Sequence, residues 1–126
     1  MPPQVEASEE GAAIKVVVVD DEPELTKLIV QWLNKRGHRA FGITGGADIV
    51  QWVVKQDCDA VILDVVLRDA NGLSLIAPIR KASPKTRVIV MSGTNDSTLA
   101  NRATEEGAAS FLAKPIDLGS LAAALE

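Results

Sequence analysis

Apolar residues along this chain follow two rhythms that take turns. Short unbroken runs, Val16–Val19, Ala60–Leu63 and Val88–Met91, show no polar alternation. That is the pattern of strands covered on both faces, as in a parallel sheet flanked by helices. Between the runs, apolar residues recur at three- and four-residue spacing: Leu25, Leu28, Ile29, Trp32 and Leu33; Ile49, Val50, Val53 and Val54; Leu73, Ile76 and Ile79; Leu118, Leu121, Ala122 and Leu125. Such spacing gives a helix one apolar face. The alternation predicts five β/α units, with strands over 14–19, 39–43, 60–64, 88–91 and 110–113 and right-handed crossovers between parallel neighbours.

Punctuation sharpens the boundaries. Pro23 suits a first helical turn and Gly37 a helix end, while Thr44-Gly45-Gly46 reads as a turn. Gly72 opens the third helix, and Pro78 inside it removes a backbone bond, which should kink that helix or shorten its regular part. Asn95, Asp96 and Ser97 are all competent N-caps for a fourth helix running to about Glu106. Its apolar face, Leu99, Ala100 and Ala103, is thin, so this helix should be held less firmly than its neighbours and free to shift.

Composition narrows the class. The 126 residues suffice for one domain with a proper core, and 47% hydrophobic with 24% charged residues is ordinary for a globular protein. No apolar run approaches the roughly 20 residues of a membrane helix. Residues 1–13 are acidic and rich in small residues, without the features of a secretory signal, and are expected to form a flexible N-terminal tail ahead of a domain over 14–126. A formal charge of -4 argues against nucleic acid as a direct partner. Cys58 and His38 are each the single residue of their kind, which removes internal disulfides, thiolate clusters and metal sites built from several histidines.

The chemistry collects where strands end. Asp20 and Asp21 follow the first strand and Asp64 closes the third, and ligands of open α/β sheets bind outside the carboxyl ends of the strands. Carboxylates gathered there repel one another and raise each other's pKa unless a cation neutralises them, so the pattern asks for a metal. Ser92 and Lys114 stand at the ends of the fourth and fifth strands. Singly, each has a duller reading: a helix N-terminal acid, a turn residue, a loop serine, a solvated lysine. Their joint placement at four strand ends favours a site. Glu22 reads as solvated, with only an indirect electrostatic part.

This ordered set resembles the receiver domain of two-component response regulators, over about 14–126. The resemblance implies an α/β, flavodoxin-like, doubly wound five-stranded parallel sheet in the order 2-1-3-4-5 with five helices. It implies Asp64 as the phosphoacceptor, with Lys114 and Ser92 contacting the phosphoryl group. It further implies Mg²⁺, for which Mn²⁺ could substitute, held directly by Asp21 and Asp64, through water by Asp20, and by the Val66 carbonyl. Ser92 and Phe111 would form the switch, and the Lys114–Pro115 peptide would be cis. Expected partners are a sensor histidine kinase or histidine phosphotransfer protein and an output domain or target, in the cytoplasm, with neither nucleic acid nor membrane bound directly. The domain would be a phosphoacceptor rather than an enzyme in its own right.

Several positions depart from the family's commonest pattern. Arg68 stands where proline is frequent, so the loop after Asp64 should be less rigid. Val66 and Thr94 offer no charged group to orient an attacking water, which predicts slow self-dephosphorylation. Ser110 stands near where dimerising receivers carry an acid, which speaks against a dimer through the fourth helix, fifth strand and fifth helix. Three other readings compete: a Mg²⁺-dependent phosphatase with an aspartate nucleophile, a nucleotide or flavin carrier using Gly45-Gly46 as a weak cradle, and a receiver-like module working without phosphorylation. Val66 breaks the phosphatase's Asp-x-Asp pair, and Asp20-Asp21-Glu22 would repel a bare phosphate.

Overall fold

A computed structural model describes residues 13–94 and 96–126. The tail expected over 1–13 therefore lies, but for Ala13, outside the described residues, as does the capping role considered for Asn95. Strands and helices alternate as β1 (Lys15–Val19), α1 (Pro23–Lys35), β2 (Arg39–Ile43), α2 (Ile49–Gln56), β3 (Ala60–Asp64), α3 (Leu73–Ala82), β4 (Arg87–Ser92), α4 (Ser97–Glu106), β5 (Ser110–Ala113) and α5 (Leu118–Leu125). The strands are all parallel and ordered β2-β1-β3-β4-β5.

Alternation along the buried strands divides the core in two. Val17, Val19, Val61, Leu63, Val88 and Val90 face the side covered by α2, α3 and α4, where Ile49, Val53, Leu73, Ile76, Ile79 and Ala103 meet them. Val16, Val18, Ile62, Ile89 and Met91 face α1 and α5, represented by Ile29, Leu33 and Leu121. A period of two in strands buried on both faces thus produces a doubly wound sheet. No helix among the described residues is long and apolar enough to cross a membrane.

Two predicted helix faces are corrected by packing. Leu28 is 53% and Val54 50% exposed. On α1 the buried stripe centres on Ile29, with Thr26 and Leu33 beside it, and Leu28 lies at its edge. On α2, Trp52 turns inward and meets Phe41 edge to face at 5.7 Å. Helix α3 continues through Pro78, which sits on its exposed side. Helix α4 is as thin as its sequence implies, since only Ala103 is fully buried. Its start is capped by Asp96, which accepts the Thr98 N–H at 2.8 Å. Cys58 is buried, and burial pushes its thiol up to about 11, leaving it an inert core residue.

Candidate functional site

Strand register assembles the site. Val19 lies beside Leu63, so Asp20 leaves β1 next to Asp64 at the end of β3. On the other side Met91 pairs with Asp64, and Ser92 pairs with Ala113, one residue before Lys114. The Lys114 N–H donates to the Ser92 carbonyl at 2.7 Å. Neighbouring strands are about 4.8 Å apart, so four side chains distant in sequence converge on one rim. The Lys114–Pro115 peptide there is cis.

Asp64 is 6% exposed. Its Oδ1 accepts the Val66 N–H at 3.0 Å and its Oδ2 a bond from Lys114 Nζ at 2.8 Å. The same ammonium bonds Glu22 Oε1 at 2.6 Å and stands 3.1 Å from Asp20 Oδ2. The last contact is an ion pair without hydrogen-bond geometry, so the buried Oδ2 of Asp20 has no hydrogen-bond partner. Asp20 Oδ1 accepts the Glu22 N–H at 2.9 Å.

One ammonium therefore faces three carboxylates, and the electrostatics register the imbalance. Burial raises the Asp20 pKa, and nearby Asp64 adds to the effect, against the Glu22 N–H and Lys114. Burial works against charge on Lys114 as well. Its bonds to Asp64 and Glu22 and its ion pair with Asp20 outweigh burial and hold its pKa above the ordinary lysine value, so it stays an ammonium.

The metal set expected from sequence is only partly gathered. Asp20, Asp64 and, unexpectedly, Glu22 bring one oxygen each within 4.8 Å of one another. Asp21 points elsewhere: its Oδ1 accepts the Gly45 N–H at 3.2 Å and its Oδ2 the Arg68 N–H. The cause is the extended exit from β1, with Glu22 itself at φ -93°, ψ 103°. Successive side chains alternate there, so Asp20 and Glu22 share a side that Asp21 does not. That period of two was the signal that could have brought Glu22 Oε1 to Lys114; the side chain is otherwise solvated as expected, 62% exposed. Val66 is 74% exposed while its backbone N–H turns to Asp64.

Ser92 is buried, and its Oγ accepts the Thr94 N–H and lies near Thr94 Oγ1, both at 3.1 Å. The Thr94 contact was not foreseen. Phe111 packs half-buried against the core on the α2–α4 side.

A buried carboxylate oxygen without a hydrogen bond, set among hard oxygen donors, is the environment a divalent cation such as Mg²⁺ takes. The residues present fit such an ion. Gly45 and Gly46, by contrast, have their N–H groups filled by the chain's own carboxylates, which leaves the carrier reading without a free cradle.

Fold and site together define a doubly wound domain with an acidic, lysine-bridged pocket at the carboxyl ends of its strands. Residues 16–126 match the family model described as the response regulator receiver domain. The chain belongs to that family: it is a receiver domain of two-component signalling. Among similar proteins, the DNA-binding transcriptional regulator NtrC of Azospirillum brasilense is 36% identical over 115 residues, covering 91% of this chain and 24% of the regulator. The chain thus spans about a quarter of that relative's length. The sporulation initiation phosphotransferase F of Bacillus subtilis is 26% identical over 85% of this chain and 86% of its own. A solved response regulator from Burkholderia pseudomallei, crystallised with a phosphorylated aspartic acid, a calcium ion and citrate, is 27% identical with a TM-score of 0.84. The match covers 90% of this chain and 66% of that one.

Proposed function

We propose that Asp64 is the phosphoacceptor, that it receives its phosphoryl group from a histidine kinase or a histidine phosphotransfer protein, and that the resulting change is passed to an output domain or partner. The observation that carries this reading is the Asp64 carboxylate itself, buried and aimed between the Val66 N–H and the Lys114 ammonium, beside an Asp20 oxygen without a hydrogen bond. The phosphorylated aspartic acid and calcium ion of the Burkholderia relative support it.

An Asp64 carboxylate oxygen attacks phosphorus in line. The bond from phosphorus to the donor's imidazole nitrogen breaks, and its electron pair stays on that nitrogen. Lys114, already on Asp64, stays beside the transferred group and offsets its charge. Asp20, Asp21, Asp64 and the Val66 carbonyl would hold Mg²⁺ or Mn²⁺, with Asp20 acting through water and Asp21 releasing at least one of its loop N–H groups. The ion, when bound, supplies positive charge to the phosphoryl oxygens.

The aspartyl phosphate adds charge and acceptor oxygens. Ser92 leaves Thr94 to donate to them, and the loop before α4 follows. Helix α4 yields because so little of it is buried, and Phe111 turns into the space released. The domain assists its own phosphorylation and dephosphorylation, turns over no separate substrate, and works in the cytoplasm. Residues 14–126 form the phosphoacceptor unit.

The test is incubation with a small acyl phosphate, with and without Mg²⁺, followed by intact mass, beside an Asp64→Asn control. One added phosphate that requires both Mg²⁺ and Asp64 is the expected result. A folded protein that binds Mg²⁺ and takes no phosphate would instead be a receiver that signals by binding alone.

A further inference from the structure

Two carboxylates that lie outside the lysine-bridged cluster tie together the loops on either side of it. The turn between β2 and α2 presents three consecutive backbone N–H groups, those of Gly45, Gly46 and Ala47. Asp69, in the loop between β3 and α3, takes two of them: Oδ1 accepts from Gly46 at 2.9 Å and Oδ2 from Ala47 at 3.0 Å. Asp21 takes the third, at 3.2 Å, and its other oxygen accepts the N–H of Arg68, the residue before Asp69.

The turn is built for this. Gly45 has φ +84°, the left-handed conformation in which successive N–H groups converge on an anion. A Cβ on Gly45 would stand 3.1 and 3.3 Å from the Asp69 oxygens, and one on Gly46 would lie 2.6 Å from Leu75 Cδ1 and 3.0 Å from Leu67 Cδ1. The Gly-Gly pair is therefore an anion cradle that the chain fills itself, pressed against side chains of the α3 side.

The two carboxylates differ in what else is asked of them. Asp21 is a proposed metal ligand, and turning an oxygen to the ion takes it away from Gly45 or Arg68. Asp69 has no second duty. We infer that Asp69 is a positioning residue for the metal and phosphoacceptor site: its carboxylate keeps the β3–α3 loop, and with it the Val66 backbone, docked on the β2–α2 turn when Asp21 turns to the metal. The inference rests on the phosphoacceptor reading above and adds the element that lets Asp21 leave. Without Asp69, the ion must break the remaining carboxylate tie in order to bind, so its binding is coupled to opening of the loop and weakens.

The test compares the full chain with Asp69→Ala and Asp69→Glu, measuring Mg²⁺ affinity by titration calorimetry and amide hydrogen exchange at Gly46 and Ala47 with and without Mg²⁺. In the wild type both amides should stay protected in either condition. In Asp69→Ala, Mg²⁺ should bind about 10- to 100-fold more weakly, the usual effect of removing a group that orients a ligand. Exchange at both amides should quicken, most of all with Mg²⁺ present. The Glu variant, which keeps the carboxylate, should recover most of the affinity. If circular dichroism finds Asp69→Ala unfolded, Asp69→Asn, which retains one acceptor, carries the same comparison with an intermediate loss. A folded Asp69→Ala with Mg²⁺ affinity within about twofold of wild type overturns the inference, as does loss of Gly46 and Ala47 protection in the wild type when Mg²⁺ is added. A wild type that binds Mg²⁺ yet takes no phosphate overturns the phosphoacceptor reading alone, because neither measurement needs phosphorylation.

Discussion

The two ends of this sheet carry similar residues and treat them in opposite ways. At the amino ends of the strands, acids and cations are matched. Asp59 accepts the Lys15 N–H at 2.9 Å, Lys85 bridges Asp57 at 2.8 Å and Asp59 at 3.4 Å, and the Lys15 ammonium bonds the Gln56 carbonyl at 2.8 Å. Buried Thr86 donates to the Cys58 carbonyl at 2.8 Å and lies 2.6 Å from Ser83 Oγ. At the carboxyl ends one lysine serves three carboxylates, and a buried oxygen lacks a hydrogen bond. The pKa shifts follow suit: the bond from Lys85 lowers that of Asp57, whereas burial raises that of Asp20. One end is satisfied as it stands, and the other is arranged for charge that arrives from outside. Unsatisfied groups of this kind mark function rather than stability.

The largest expected effect strikes the carboxyl end through its backbone. Gly72 has ordinary helical dihedrals, φ -56° and ψ -36°, so glycine is required there for space alone. A Cβ would lie 2.0 Å from the Asp64 carbonyl oxygen and 2.9 Å from Val65 Cα, and backbone cannot move aside as a side chain can. Gly72→Ala should lower stability by roughly 3 kcal/mol or more and displace Asp64. Chemical denaturation and Mg²⁺ titration read both effects, and a variant of near-wild-type stability would remove the close approach from the account.

Two substitutions of similar size should then differ in sign. Thr86→Val deletes a satisfied hydroxyl at the amino end, and the Cys58 carbonyl loses that bond. It should destabilise by about 1–2 kcal/mol and leave the phosphorylation rate unchanged. Asp20→Asn removes a buried charge that the fold does not fully compensate. In metal-free buffer it should stabilise by about 1 kcal/mol, a rise in Tm of roughly 4 °C, while Mg²⁺ ceases to raise Tm. If both variants lose stability, the contrast between the ends fails.

The smallest effect belongs to His38, whose Nδ1 accepts the Ile14 N–H at 3.1 Å and therefore needs a neutral ring. Burial, with Arg36 nearby, lowers its pKa below 6.5. The unfolded chain then takes up the proton first, so this contribution is complete above about 6.5 and is lost as pH falls through that value toward the folded one. Urea denaturation from about pH 7.5 to 5.5 should show a decline under about 1 kcal/mol that disappears in His38→Asn. A decline that persists in the variant belongs to other groups.

Much of the molecule was legible before any coordinates. Strands β2, β3 and β5 have the bounds expected of them, while β1 begins one residue later and β4 extends one residue further at each end; the runs of β1, β3 and β4 are unbroken because those strands are buried on both faces. Asp20, Asp64 and Ser92 could be singled out because each follows such a run directly, and Lys114 because it follows the last strand; the end of a parallel strand is where the fold exposes what comes next. Which atoms those side chains touch depended on neighbours far away in the chain. Leu28 and Val54 carry the right spacing for burial, yet the faces α1 and α2 turn inward are chosen by the whole sheet they cover. Asp20 and Asp21 are chemically identical and adjacent. The direction of the chain as it leaves β1 sends one to Lys114 and the other to Gly45 and Arg68, and brings the exposed Glu22 carboxylate to Lys114 as well. Asp69 and the Gly45-Gly46 turn are 23 residues apart at their bond and meet only through the register of the intervening strands. Local periodicity determined the five alternating β/α units and strand-end chemistry the acidic pocket from the sequence alone, while the strand order was only what the family resemblance implied. Orientation and pairing were left to the tertiary structure, because both are set by contacts between segments that no window of sequence contains.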